Sequence, residues 1–233
     1  MELHLIKKPE NVTIITGFPS TSLVGTIATK FLLDKLDTET IGHIDSEELI
    51  PVIAIHKGQV IRPLGIFYSK QYNLVIVQAL SGVMGLEWQV AKIIEKLSSE
   101  LKAKEIINIE STAGFDGEIS AYYYTRNKER RKQFEKIKLE EMKEGIIMGP
   151  TGALLLSENK IPMSTIFAKT HSNLPDYEAA AKIVEVLDRL LGMKIDYKPL
   201  IEKAKKFESE LKNLIEQASK KQKQRPSELS YLG

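Results

Sequence analysis

Short β-branched runs and helical hydrophobic stripes alternate along most of the chain. Residues 12–16 are mainly β-branched, which is typical of a strand, and residues 74–77 form a continuous apolar run, as in a strand buried on both faces. Between these runs, apolar residues at helical spacing predict a helix with one buried face. They are Val24, Ile27, Ala28, Phe31 and Leu32.

The same alternation continues toward the C-terminus, and residues 52–69 alternate apolar with polar positions as a hairpin or an edge set does. Two further helices with one apolar face are predicted at 86–101 and 176–191, the second opened by Pro175-Asp176 and ended by Gly192 as its C-cap. A charged, solvated helix is predicted at 127–141. This alternation favours an α/β fold, a three-layer, mostly parallel sheet with helices on both faces. The other predicted strands are 1–6, 39–44, 105–109, 121–125, 145–148 and 162–168.

The loop after the strand at residues 12–16 is made of Gly, Pro, Ser and Thr. Ser20, Thr21 or Ser22 is expected to cap the following helix. Gly17 and Gly25 permit close backbone approach, and a helix N-terminus favours anions, so a phosphate site is one interpretation. The loop lacks the Walker lysine and the G-x-G-x-x-G spacing, which favours the other interpretation, a tight strand–helix connection.

Several loops at the predicted carboxyl ends of strands are rich in small residues and poor in titratable ones. If they meet in one crevice, backbone N–H groups and hydroxyls would bind a nucleoside- or phosphate-type ligand there. The possible crevice residues are Gly17, Ser20, Thr21, Ser22, Gly149, Thr151, Gly152 and His171.

The C-terminal part of the chain follows a different pattern. From Leu200 to Ala218 the apolar residues recur in alternating steps of four and three, which is a heptad seam. Phe207, Leu211 and Leu214 lie on this seam, and they are expected to pack on the domain or on a second copy. We therefore predict an α/β domain at residues 1–197, an amphipathic helix at 198–224 and a flexible tail at 225–233.

Composition narrows the class of protein. The 233 residues include 33 basic and 31 acidic ones, and a formal net charge of +2 argues against a general nucleic-acid binder. The absence of cysteine excludes disulfides and thiolate chemistry. No apolar run approaches the 18 residues of a membrane span, so we expect a cytoplasmic protein without a membrane partner. Abundant Lys, Glu and Ile are typical of a thermophile.

The chemistry of catalysis is poorly represented. No G-x-S-x-G elbow is present, and no two histidines have metal-ligand spacing, so neither a metal nor a cofactor is expected. Asp116 and Glu118 are interpreted as solvated loop carboxylates. The tyrosines at 122–124 are interpreted as packing residues, and the basic cluster at 130–132 as part of a solvated helix face. This scarcity argues against an enzyme.

Several motifs together resemble the archaeal and eukaryotic proteasome assembly chaperone family. The first is Gly17-Phe18-Pro19 followed by Leu23-Val24-Gly25. The others are residues 45–49 (DSEEL) with Pro51, residues 149–156 (GPTGALLL) and residues 176–181 (DYEAAA) with Leu191-Gly192. Their order and spacing carry the resemblance, which covers about residues 12–205.

The resemblance implies a nucleoside-phosphorylase-like fold, a homo-oligomer (tetramer or pentamer) and no established catalysis. It also implies binding to proteasome α subunits. Some family members insert a C-terminal hydrophobic–Tyr–any tripeptide between α subunits. Here the Tyr comes one position too early and a Ser replaces the hydrophobic residue. The corresponding tail is Leu229, Ser230, Tyr231, Leu232 and Gly233.

Three functions are compatible with these features. The first is a homo-oligomeric proteasome assembly chaperone or adaptor that presents several C-terminal tails to the α-ring. The second is a small-molecule binder or enzyme that uses the crevice at the strand ends. The third is a structural oligomer without a link to the proteasome, which differs from the first only in its tail.

Overall fold

The computed structural model describes residues 1–20, 22–56, 58–113, 120–157, 161–170 and 174–206. In these ranges the strands are β1 Glu2–Leu5, β2 Thr13–Gly17, β3 Glu39–Asp45, β4 Ala54–His56, β5 Gln59–Ile61, β6 Leu64–Ser69, β7 Leu74–Ala79, β8 Glu105–Ala113, β9 Ala121–Thr125, β10 Glu140–Glu141 and β11 Met163–Thr170. The helices are α1 Val24–Lys35, α2 Glu87–Glu100, α3 Lys128–Lys136, α4 Gly149–Leu156 and α5 Tyr177–Leu191.

Nine strands form one sheet in the order β1-β3-β6-β7-β2-β8-β11-β9-β10, and β4 pairs with β5 as a separate hairpin. The four central strands β7, β2, β8 and β11 are mutually parallel. The strands from β7 outward to β1 pair antiparallel. A parallel centre brings the carboxyl ends of its strands to one edge, where binding sites of open α/β sheets usually form.

Helices cover both faces of this sheet. Successive residues of a strand point to opposite faces, so Ile14 packs in the core on one face and Ile15 in the core on the other. The face of Ile15 is covered by α1 and α5, and the face of Ile14 by α2 and α4. The predicted three-layer α/β architecture is therefore confirmed, as are the apolar faces of α1, α2 and α5.

Helices α1 and α5 begin and end through different interactions. The Asp176 carboxylate accepts from Ala179 N (2.8 Å) and caps α5, and Gly192, with φ 66°, ends it, as the sequence predicted. The cap predicted for α1 is wrong for the described Ser20 and Ser22. Leu23 holds the N-cap position with φ 53°, and no side chain among the described residues caps α1. Backbone bonds hold the loop before α1 instead, since Leu23 N donates to Ser20 O, and Asp176 N, at the start of α5, donates to Ser22 O.

Three element predictions in the second half are wrong. Residues 145–148 are not a strand: they run as an irregular segment in which the side chains of Ile146 and Met148 are 93% and 78% exposed. The strand beside β9 is β10 instead, so the charged helix ends at Lys136 rather than near residue 141. Residues 149–152, expected among the loops at the strand ends, form the first turn of α4, where Pro150 is well tolerated.

The C-terminal helix is described only at its beginning. Residues 198–206 are helical, and the first two seam positions, Leu200 and Ala204, are buried. Phe207, Leu211, Leu214 and the tail residues 229–233 lie outside the described residues, so the seam and the tail stay predictions. Within the described part of the chain, no helix is long and apolar enough to cross a membrane.

Candidate functional site

The described residues of the predicted crevice come together where β2 and β8 end beside the start of α4. The Ser20 and Ser111 hydroxyl oxygens are 3.1 Å apart, which joins the loop after β2 to β8. Thr151, in the first turn of α4, is fully buried under these loops. Gly149 (φ 69°) and Gly152 flank Thr151, and Gly149 has the left-handed backbone that favours glycine.

A chain of side-chain hydrogen bonds connects the elements of this region. The Thr16 hydroxyl donates to Asn108 Oδ1 (2.8 Å), and Asn108 Nδ2 donates to Thr151 Oγ1 (2.9 Å). The Thr151 hydroxyl then donates to Glu110 Oε2 (2.7 Å). The chain therefore connects β2, β8 and α4 through side chains, and each buried polar group in it has a partner.

Glu110 is the titratable group of this network. Its Oε1 accepts from the Ser111 backbone N–H (2.8 Å). Burial raises the pKa of Glu110 above its ordinary value, and hydrogen bonds from Thr151 and Ser111 offset only part of that rise. A protonated carboxyl would be retained to higher pH here than on the surface.

The network resembles a hydroxyl activated by a base, because the Thr151 hydroxyl donates to a carboxylate. A nucleophile must also reach its substrate, and Thr151 is 0% exposed. Its oxygen already accepts from Asn108. The arrangement therefore fastens the start of α4 to the sheet and presents no reactive oxygen to the crevice.

Asn108 and Glu110 were missed in the sequence, although a signal for them exists. They are separated by one residue in β8, so their side chains lie on the same face of the sheet as Ile106, whereas Ile107 and Ile109 on the other face are apolar. Two polar side chains on one face of a buried strand need partners on neighbouring elements. Such a pattern indicates a buried network.

Gly17 and Gly25 approach each other, which supports one of the two interpretations of the first loop. A Cβ on Gly17 would lie 2.6 Å from Gly25 O, and a Cβ on Gly25 would lie 2.9 Å from Gly17 Cα. The glycines therefore let α1 pack directly on β2. This geometry matches a tight strand–helix connection, because the space that the missing side chains leave is taken by the chain itself.

Polar groups without partners lie close to the same crevice. Ser22 is buried, and its hydroxyl has no hydrogen-bond partner among the described residues. The same holds for both side-chain amide atoms of Gln78, whose neighbour in β2 is Gly17. Thr21 and His171 lie outside the described residues, so their part in the crevice stays a prediction. Asp116 and Glu118 also lie outside them, so their interpretation as solvated loop carboxylates stays a prediction as well.

The basic cluster of α3 is only partly a solvated face. Arg130 forms a bidentate ion pair with Glu105, through Nε to Oε2 (2.8 Å) and through Nη2 to Oε1, and the two side chains are 11% and 8% exposed. The Thr13 hydroxyl also donates to Glu105 (3.0 Å). The prediction was wrong for Arg130, since β8 supplies a buried partner that lies far away in sequence.

The aromatic run at residues 122–124 contains a packing residue, as expected. Tyr123 is 2% exposed and stacks on Phe134 of α3, with ring centroids 4.4 Å apart. Burial raises the pKa of the Tyr123 hydroxyl, and the carboxylates of Glu141 and Glu135 add to this rise. The ring joins α3 to the sheet through apolar contact.

A second polar cluster lies on the opposite half of the sheet, on β1 and β3. The imidazole rings of His4 and His43 are stacked with centroids 4.9 Å apart. His43 Nε2 is 3.1 Å from Asp45 Oδ2, and Arg62 Nη1 contacts the same oxygen at 3.0 Å. Sequence spacing had argued against paired histidines, but strand register places these two side by side.

Comparisons with known proteins give a consistent result. A family model described as the PAC2 family matches residues 14–215. A crystal structure of Pyrococcus furiosus PbaA, described as an archaeal homolog of proteasome-assembly chaperone, is 29% identical with a TM-score of 0.84 over 99% of both chains. P. furiosus PbaB, described as an archaeal proteasome activator, is 20% identical with a TM-score of 0.78, and the match covers 91% of this chain and 98% of PbaB.

A curated relative extends the same similarity. An uncharacterised protein of Methanocaldococcus jannaschii is 26% identical over 210 residues, which are 89% of this chain and 87% of the relative. The similarity to PbaA and to this relative extends over nearly the whole chain. The PbaB match is below 25% identity and supports the fold alone.

Proposed function

Since this chain belongs to the PAC2 family, as its motifs indicated, we propose that it is a homo-oligomeric proteasome assembly chaperone or adaptor that binds the proteasome α-ring. The observation that carries the proposal is its similarity over full length to PbaA, an archaeal homolog of proteasome-assembly chaperone. The network at the ends of β2 and β8 fits a non-catalytic role, because the side chains that link β2, β8 and α4 hydrogen-bond one another.

The C-terminal tail is the proposed recognition element. It would bind α subunits through Tyr231, with Leu229 and Leu232 supplying the apolar contact that Ser230 cannot. A single short peptide binds weakly, whereas linked copies on one oligomer gain about 10²–10⁴ in avidity. A tetramer or pentamer would therefore turn a weak tail contact into stable binding to a ring.

The decisive experiment is a pull-down of purified proteasome α subunits by the full-length protein and by a version lacking residues 229–233. Binding by the full-length protein alone supports the tail as the recognition element. Tyr231→Ala is expected to weaken binding, and Ser227→Ala, outside the proposed tail contact, serves as the matched control. Binding that survives the deletion would move the contact to the folded domain, and no binding by either would contradict the proteasome proposal.

A small-molecule binder remains the second candidate because of the buried polar groups at the crevice. The Ser22 hydroxyl and the Gln78 amide are buried without partners among the described residues, and a nucleoside or phosphate-type ligand would satisfy them. A thermal-shift screen with nucleosides, nucleotides and phosphate tests this function. We expect stabilisation that is lost in Gln78→Leu if the candidate is right. Unchanged melting temperatures throughout the screen would exclude these ligands.

A further inference from the structure

Two histidines and two carboxylates share one face at the outer edge of the sheet. In the antiparallel register of β1 and β3, His4 lies opposite His43 and Glu2 lies opposite Asp45. Residues two apart on a strand point to the same face, so these four side chains form a square of neighbours. The square joins the first strand of the chain to the second half of β3.

The donor atoms of this square are already close together. One ligand atom from each of His4, His43 and Asp45 lies within 4.8 Å of the others. His4 Nε2 is 3.6 Å from Glu2 Oε2, which adds a second carboxylate. In a tetrahedral site with ligands about 2.0–2.2 Å from Zn²⁺ the donor atoms are about 3.5 Å apart, so metal binding would draw these three atoms closer together.

The charge of the cluster favours a cation. Glu2 and Asp45 are directly opposite each other, and like charges in this position are destabilising. Arg62 Nη1 contacts both Asp45 oxygens, at 3.2 and 3.0 Å, and compensates one carboxylate. The Glu2 side chain is 81% exposed and pairs with the neutral or protonated His4 ring, so a metal ion could neutralise the remaining negative charge of the square.

We propose that Glu2, His4, His43 and Asp45 form a binding site for one divalent first-row transition cation of the Zn²⁺ type. Two imidazoles with carboxylates suit Zn²⁺, Co²⁺ or Ni²⁺, whereas Mg²⁺ and Ca²⁺ prefer oxygen ligands alone. The cation would cross-link the edge strand β1 to β3. The cluster also borders a cleft of about 1200 Å³, which leaves room for solvent or a further ligand on the metal.

The test uses full-length protein without a histidine tag, freed of metal by chelation. Isothermal titration with Zn²⁺ and the visible absorption of bound Co²⁺ report the site directly. We expect one cation per chain and a rise in melting temperature on Zn²⁺ addition. His4→Ala and His43→Ala should each weaken binding more than about tenfold, because removal of even outer-shell partners has an effect of that size.

His171→Ala is the matched control, since this histidine follows β11, five strands away from β3 in the sheet. Its Zn²⁺ affinity should equal that of the unmodified protein. Melting curves without metal identify any variant that fails to fold. Glu2→Gln, at an exposed position, is a milder change that should lower the Zn²⁺ affinity by an intermediate amount. Absence of Zn²⁺ binding, or equal binding by the His4→Ala/His43→Ala double variant, would overturn the proposal.

Discussion

At the scale of single residues, a small change of size has a large effect on stability where the backbone is closely packed, and a change of charge has one where a side chain is shielded from water. Gly17 and Gly25 each occupy the place that the other's side chain would need. Glu110 holds a carboxyl at a partly buried position, where hydrogen bonds offset part of the cost of its charge. These two positions therefore give direct tests of packing and of electrostatics.

Gly17→Ala is expected to lower the free energy of unfolding by about 1–3 kcal/mol, the usual cost of overpacking. The new methyl group would meet backbone atoms of Gly25, which cannot rotate away. Gly82→Ala is the matched control, because its Cβ would meet nothing within 4 Å, and it should change stability by less than about 0.5 kcal/mol. Guanidinium unfolding of both variants measures the difference, and equal stabilities would contradict the close-packing explanation.

Glu110→Gln is expected to change how stability depends on pH. The pKa of Glu110 is raised above its ordinary value of 4.5, so the folded state holds this proton more tightly than the unfolded state does. The resulting stabilisation is fully present below pH 4.5 and is lost as the pH rises through the folded-state pKa. The neutral Gln side chain cannot titrate, so the variant should lose this decline.

Melting temperatures from about pH 4 to about pH 8 measure the effect, since this range begins near the ordinary pKa of the carboxyl and extends in the direction of its shift. The difference between Glu110→Gln and the unmodified protein should grow in favour of the variant as the pH rises. Glu144→Gln, at an exposed position, controls for the loss of a carboxylate and should follow the unmodified protein. Curves that stay parallel for all three proteins would show that Glu110 titrates normally.

At the scale of elements, α3 and α4 are held to the sheet by a few specific side chains. The Arg130–Glu105 pair joins α3 to β8, and the Thr151 network joins α4 to the same strand. Phe134 is the only fully buried residue of α3 among those described. The position of this short, charged helix therefore depends on one ring stack and one buried ion pair.

Arg130→Met is expected to destabilise the protein by about 3–5 kcal/mol, because it leaves Glu105 buried without its partner. Arg131→Met is the matched control on the next residue. Its pair with Glu141 is largely exposed, so it should cost less than about 1 kcal/mol. Chemical unfolding measures both, and equal losses would refute the special role of the buried pair.

Combining Arg130→Met with Glu105→Gln removes the uncompensated charge as well. This double variant should recover part of the stability lost in Arg130→Met alone, since a buried pair is costly mainly when one partner is missing. The Thr13 hydroxyl would keep an oxygen acceptor, because the new amide retains a carbonyl oxygen at this position. A double variant that is no more stable than Arg130→Met would place the loss in packing of the Arg130 stem instead.

At the scale of the whole molecule, the predicted seam bears on whether copies of the chain assemble into an oligomer. The seam begins at Leu200 and Ala204, which are buried against the domain, and its later positions are known only from sequence. If the later positions face a second copy, the tails of several chains would be presented together. The proposed avidity toward an α-ring depends on that arrangement.

Leu211→Glu is expected to weaken the oligomer or the docking of the helix, because it places a charge in the apolar seam. Asn213→Glu adds the same charge to the same predicted helix outside the seam and should change neither. Light scattering after size-exclusion chromatography measures the assembly, and thermal unfolding measures the docking. Unchanged mass and unchanged melting temperature in Leu211→Glu would refute the seam.

The sequence by itself determined the secondary structure of the core and the three-layer architecture. Periodicities of about two and 3.6 residues report which side of a strand or helix is buried, and this information is local. Thus α2, α5 and the central strands were predicted, together with the cap at Asp176 and the left-handed Gly192. Its ordered motifs also indicated the family.

Only the tertiary structure decided which distant residues meet. Residues 145–148 have the composition of a strand, but β10 pairs with β9 instead. Glu110 acquired its raised pKa from burial beside α4, and Arg130 found Glu105 across the fold. His4 and His43 became neighbours through the register of β1 and β3. Such contacts depend on the register of strands and the packing of helices, which no local pattern in the chain encodes.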